Sequence, residues 1–357
     1  MANPTVRPDV ASGANREKPP GTSVDASVGR GAEASRGRRL LFLGAKIAVS
    51  GLALWWTLAR VDTRTLVRQA ASTSALTFAI VVGLVVANLA VGAVRWRVLA
   101  TAYGAEPSAL PSVLVLFRLY VQGLFYNTFL PGNVGGDVLR AWIVGRAMRD
   151  AAGAGTVVLV ERVLGLAGLA LVASVAATVA ALPGLDLRLW GSLALVATLA
   201  GVALLSVLPG LAPRLPGAAG RFAAKLPRLV RPAAFAQAVV LSVGTQLLAA
   251  YAGHVLLESS SGHDLPIARS LAVVPVTVLA SYFPFTVAGI GAREAAFVSL
   301  AAQLGVGADA ATAASLLLLG ATLVVAIAGG VVSLLPLPRA LTRVALDEAA
   351  PPSSPDA

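Results

Sequence analysis

Cysteine is absent from the 357 residues, and histidine occurs twice, at His254 and His263. The first absence excludes disulfides, thiolate metal sites, iron–sulfur clusters and a cysteine nucleophile together. The second leaves too few imidazoles for a histidine cage, so neither a metal nor another cofactor is expected. Charge is scarce too: charged residues make up 13% of the chain, against about 25% in soluble domains. Acid is the rarer sign, with 17 Asp and Glu against 28 Lys and Arg. Walker loops, G-x-S-x-G elbows, H-E-x-x-H motifs and dinucleotide fingerprints are all missing. Soluble-type catalysis has no foothold, and enzymatic activity is not expected.

What is abundant is apolar surface. Hydrophobic residues account for 57% of the chain, and the mean hydropathy is +0.80. A bilayer core of about 30 Å takes roughly 20 apolar helical residues. Runs of that kind lie at about 41–59, 74–94, 154–181, 189–208, 233–257 and 311–335. Two further apolar stretches, about 112–130 and 270–305, are broken by Pro and Gly. The expected fold is all-α: a polytopic integral membrane bundle of about six full spans plus two Pro/Gly-broken re-entrant segments. Residues 1–40, rich in Gly, Ala, Ser, Pro and charge, read as a disordered cytoplasmic tail. The membrane domain is expected over 41–337, with a short disordered cytoplasmic tail at 338–357.

The basic excess is clustered between apolar runs, as in loops facing an anionic cytoplasmic leaflet. No basic face alternates with stacking aromatics, so nucleic acid is not an expected partner. Arg36, Arg38 and Arg39 precede the first run; Arg95 and Arg97 follow the second; Arg214, Arg221, Lys225, Arg228 and Arg231 fill one connection; Arg339 and Arg343 follow the last. With both broken stretches returning to the side they left, these clusters share one face. That places both termini in the cytoplasm of a multi-pass plasma-membrane protein. Arg60, Arg64 and Arg68 fall on the other face, partly offset by Asp62. Trp55, Trp56, Trp96 and Trp142 read as interfacial anchors, and His254 as a hydrogen-bonded helix residue.

The broken stretches share a grammar. In the first, an apolar helix ending near Phe129 meets Pro131 and Gly132, then Asn133-Val134-Gly135-Gly136, and Asp137 opens a new helical pattern. An aspartate there can cap free N–H groups and face the positive end of the helix dipole. The second runs Tyr282-Phe-Pro-Phe-Thr-Val-Ala-Gly289-Ile-Gly291-Ala-Arg293-Glu294. Irregular backbone at membrane depth persists only where protein or a water-filled cavity covers it. Two such breaks, one in each half of the chain, match an inverted-repeat transporter. Ordinary loops at the water interface would carry the same punctuation.

Glu161 and Arg162 lie inside an apolar run, where a charge costs at least about 2.5 kcal/mol. Consecutive helical residues point about 100° apart, so each needs a partner from elsewhere. Asp137, Arg140, Arg118, Arg293 and Glu294 are the candidates. These seven are expected to converge on a polar cavity; the competing reading is a set of ion pairs that lock helices together.

Several of these residues also carry a resemblance. Phe125-Tyr-Asn127, Phe129-Leu-Pro131-Gly132, Gly135-Gly136-Asp137, Arg140, Glu161-Arg162 with Gly165, and Pro284 with Gly289-Ile-Gly291-Ala-Arg293-Glu294 resemble the lysylphosphatidylglycerol synthase transmembrane (flippase-like) family over roughly 40–340. The resemblance implies a helical bundle with re-entrant segments. In its best-understood members it implies movement of an aminoacylated phospholipid between leaflets; other members are linked to polyprenyl- or glycolipid pathways. The sequence ends at residue 357, with no room after the last run for an aminoacyl-transferase domain, so lysyl-lipid synthesis is not expected. Thr286-Val-Ala288 also stands where relatives often carry Ser and an extra Gly.

The function expected is therefore flippase-like translocation or handling of an anionic phospholipid or lipid-linked intermediate. Arg118, Arg140, Arg162 and Arg293 would meet the headgroup phosphate. Asp137, Glu161 and Glu294 would position those arginines or contact a cationic headgroup. Gly135, Gly136, Gly289 and Gly291 would allow close backbone approach at the half-helix ends, and Asn127, Pro131 and Gly132 belong to the same headgroup site. Membrane lipids are the expected partners. The alternative is an accessory subunit, or a transferase acting on a lipid carrier, working with a partner glycosyltransferase or lipid synthase.

Overall fold

The computed structural model describes Arg68, Ala71 and residues 73–129, 134–148, 150–180, 187–226, 228–281 and 292–336. The first apolar run and both expected tails lie outside the described residues, as do Trp55, Trp56, Pro131, Gly132, Gly289 and Gly291.

The described chain is a helical bundle. α1 (Ala75–Ala102), α2 (Val113–Phe129), α3 (Gly135–Met148), α4 (Ala151–Ala180) and α5 (Leu187–Leu211) come first. A short α6 (Gly217–Lys225) leads to α7 (Pro232–Ser261), α8 (Ile267–Ser281), α9 (Ala292–Ala302) and α10 (Ala308–Ser333). Among the described residues, four helices are long and apolar enough to cross a membrane: Ala75–Ala102, Ala152–Ala176, Pro232–Ser261 and Ala308–Ser333. The chain is thus an all-α, multi-pass membrane protein.

Valine is frequent in α1, where β-branched side chains would weaken a helix in water. In lipid no alternative partner exists for the backbone, so the helix persists. Its start is capped: Ser74 Oγ accepts from the Thr77 N–H at 3.0 Å. α7 begins on Pro232, whose missing N–H is no loss in a first turn. It ends on Gly262 at φ +67°, a left-handed cap that suits glycine.

α1 and α7 pack along each other in opposite directions. The Val230 and Arg231 N–H groups donate to the Ala102 carbonyl at 2.8 and 3.0 Å, joining the end of α1 to the approach to α7. One buried cluster gathers Trp96 and Leu99 of α1, Leu116 of α2, Val144 of α3, Leu164 of α4 and Ala238 of α7. A second gathers Val81 of α1, Leu256 of α7, Val274 of α8, Phe297 of α9 and Ala311 of α10. Exposed Val324, Ile327 and Val331 form an outward apolar stripe on α10, which is what a lipid-facing surface requires.

Two readings of the sequence are corrected. Trp96 is wholly buried, packed in the first cluster and not an interfacial anchor; Trp142 is exposed. Arg95 and Arg97 are not loop charges, because α1 continues beyond the apolar run to Ala102. Arg97 reaches the carbonyls of Pro107, Leu110 and Pro111 in the following connection. Arg95 turns into the protein.

Candidate functional site

At the middle of the bundle, α1, α2, α3, α4 and α7 surround a cavity of about 380 Å³. Its wall holds an alternating chain of five charges. Arg95 of α1 donates from Nη2 to Glu161 Oε1 of α4 at 2.8 Å. Arg140 of α3 places Nη2 2.9 Å from Glu161 Oε2 and donates to Asp137 Oδ1 at 3.0 Å. Asp137 accepts in turn from the Nε–H of Arg162. Each carboxylate therefore bridges two guanidiniums.

Burial explains the density of contacts. Glu161 is 3% exposed, Arg140 6%, and Arg95 and Asp137 9% each. An unpaired charge at such a site is costly, whereas two opposite neighbours with hydrogen bonds make it tolerable. Tyr120 of α2 adds its hydroxyl to Glu161 and its ring beneath Arg140, whose Cζ lies 4.0 Å from the ring centroid. That is cation–π geometry. Arg95 also donates to Ser242 Oγ and Thr245 Oγ1 of α7 at 3.2 and 3.3 Å. Arg162 is the most open member, with a third of its side chain exposed. The Nε–H groups of Arg95 and Arg140 are buried and find no acceptor among the described residues.

Three arginines and two carboxylates thus meet in this wall. Guanidinium groups lining a cavity have the geometry to hold a carboxylate or a phosphate.

The backbone at the first corner follows from glycine. A Cβ on Gly136 would run into the Gly123 backbone, so α3 rests directly on α2. The smallness of Gly136 serves this helix–helix contact. The expected capping by Asp137 is revised, because its carboxylate is committed to Arg140 and Arg162. Asn127 of α2 satisfies the first turn of α3 instead, accepting from the Gly136 N–H at 2.7 Å.

Of the expected charged residues, Asp137, Arg140, Glu161 and Arg162 meet at the cavity with Asn127 and Gly136. Gly135 opens α3 beside them. Arg118 does not join. It donates to the Val332 and Leu335 carbonyls at 3.2 and 2.7 Å, and Gln122 also donates to Val332. Together they tie α2 to carbonyls at and just beyond the C-terminal end of α10. Arg293 and Glu294 lie in α9, and their side chains are outside those described. Arg95 and Tyr120 were missed. Arg95 was hidden by its neighbour Arg97, which made the two look like one loop cluster. Tyr120 gives no sequence signal beyond lying one helical face from Asn127.

His254 is buried and hydrogen-bonded, as expected. Its Nδ1 lies 2.7 Å from Ser270 Oγ, and its Nε2 lies 3.6 Å from Glu258 Oε2. Serine, histidine and carboxylate stand in line, but Ser270 is 0% exposed, so no substrate reaches its oxygen. The trio pins α8 to α7.

Long apolar helices around a charged internal cavity define a polytopic membrane protein with a polar interior site. The model of one family, described as the lysylphosphatidylglycerol synthase TM region, matches residues 44–330, and the chain belongs to that family. A comparison with curated proteins gives no match. Family membership and the membrane-spanning helices support a flippase-like, lipid-handling role.

Proposed function

We propose that this chain moves an anionic phospholipid or lipid-linked phosphate between the leaflets of the cytoplasmic membrane. The observation that carries the reading is the chain of three arginines and two carboxylates lining a cavity among apolar helices. A phosphodiester supplies one negative charge and several strong acceptors, and guanidinium groups match its geometry. Arg162 is the first contact because it is the most open, with Arg140 and Arg95 behind it. Asp137 and Glu161 hold those arginines in place. Gly289, Gly291, Arg293 and Glu294 of the second corner complete the site in this proposal.

The proposed topology has six full spans within 41–337 and both termini inside. The pairs α2–α3 and α8–α9 form the two re-entrant segments of an inverted repeat. These helices have 17, 14, 15 and 11 residues, each short of the roughly 20 needed to cross. Exposure of the cavity alternates between leaflets by rocking one half against the other.

The test is reconstitution of the purified full chain in liposomes with a fluorescent phosphatidylglycerol, following access of a membrane-impermeant quencher. Wild type is expected to expose inner-leaflet probe, and Arg162→Gln to slow exposure about tenfold, the loss of one charge-assisted contact. Equal rates in empty liposomes, wild type and variant would overturn translocation. A chain that moves no lipid but co-purifies with a glycosyltransferase or lipid synthase would be an accessory subunit instead.

A further inference from the structure

Beside the charged cavity lies a second void of about 230 Å³, walled by Leu84 and Val85 of α1, Leu248 of α7, Phe297 of α9 and Leu318 of α10. The two voids share Asn88, Leu89, Leu124, Ala249 and Val278 in their walls. The inner void offers a ligand almost no polar partner. Thr277 Oγ1 is already bonded to the Val274 carbonyl at 2.7 Å, and Thr322 Oγ1 to the Leu318 carbonyl at 2.8 Å. At the junction, Asn88 Nδ2 is bonded to the Thr245 carbonyl at 2.5 Å. Ser315 Oγ of α10 is a further hydroxyl in a wall that is otherwise apolar, and such a lining favours an apolar guest.

A charged chamber adjoining a largely apolar one has the polarity of an amphiphile. We infer that the lipid is held whole inside the bundle, its phosphate on Arg162 and Arg140 and the first stretch of its hydrocarbon chain in the inner void. This rests on the proposed function and adds where the chain goes. The other route would leave the chain outside, in the larger apolar groove between α1, α2 and α10, lined by Val86, Leu114 and Val324. That groove shares no wall residue with the charged cavity, and the arginine in its wall, Arg118, is bonded to the Val332 and Leu335 carbonyls. The chemistry recognised, a phosphoryl group on a long hydrocarbon, is common to acyl phospholipids and prenyl phosphates.

The experiment is photolabelling of the full chain in liposomes, with peptide mapping of the adducts. Two probes are used separately: phosphatidylglycerol with a diazirine near its acyl carboxyl, and a long-chain prenyl phosphate with a diazirine near its phosphate. At least one is expected to label the inner wall, at Leu248 or Leu318, and which one does so identifies the chain type. Ala249→Phe, which grows from the shared wall into the void, is expected to cut that labelling about fivefold; Ala249→Leu gives a smaller cut should the larger ring prevent folding. Labelling confined to the outer groove by both probes overturns the inference whatever the variants do. Outer labelling that still falls with Arg162→Gln overturns the inner-chain position alone. Inner labelling indifferent to Arg162→Gln keeps the chain position but overturns the headgroup reading.

Discussion

The two neighbouring voids are built on opposite principles although they share part of a wall. In the charged cavity every carboxylate is divided between two arginines from different helices, so α1, α3 and α4 are tied together through side-chain tips. In the inner void the helices meet through apolar contact, and its threonines turn their hydroxyls back onto their own backbones. The charged region therefore depends on a few irreplaceable partners, whereas the apolar region depends on shape. Substitutions should separate them.

The largest effect is expected from Glu161→Ala, which leaves Arg95 and Arg140 facing each other without their common acceptor. A broken buried pair costs about 3–5 kcal/mol, seen as a large fall in the thermal midpoint of the purified protein. A wild-type midpoint would mean that the charge chain does not hold the helices. Gly136→Ala comes next. Its methyl meets the Gly123 backbone, and overpacking of this kind costs about 1–3 kcal/mol. Gly123→Ala is the internal control: a Cβ there lies 3.5 Å from Gly136 Cα, an ordinary contact, so it should be tolerated. Similar loss from both would refute the one-sided contact.

Asn127→Leu should cost about 0.5–2 kcal/mol, the range for losing a helix cap. It should also slow lipid movement by misplacing Asp137, which separates it from a purely structural change. Ser270→Ala, remote from the cavity, should cost about 1 kcal/mol, one hydrogen bond to His254, and leave lipid movement at the wild-type rate. Loss of activity in that variant with folding intact would assign the serine–histidine–glutamate line a role that its burial argues against.

Much of this architecture was legible because lipid leaves few options. The apolar runs at 74–94, 154–181, 189–208, 233–257 and 311–335 correspond to α1, α4, α5, α7 and α10. Charge inside such a run has to be partnered, which pointed to Glu161 and Arg162. Arg118 looked like a site residue by the same logic, and satisfied its hydrogen bonds on the end of α10 instead. Arg95 escaped notice because proximity to the end of an apolar run mimics a loop. Hydropathy measures where a helix could leave the membrane, and α1 runs on past that point.

Composition and periodicity alone determined that this chain folds in lipid, as helices, with charge buried on α4 and the first corner beside it. Backbone groups that cannot meet water must pair within a helix, and that constraint is local. Which guanidinium meets which carboxylate, that Asn127 and not Asp137 caps α3, and that a largely apolar void adjoins the charged one were decided only by packing. Those relations join residues far apart in the chain, and no local pattern records how far one helix is turned against another.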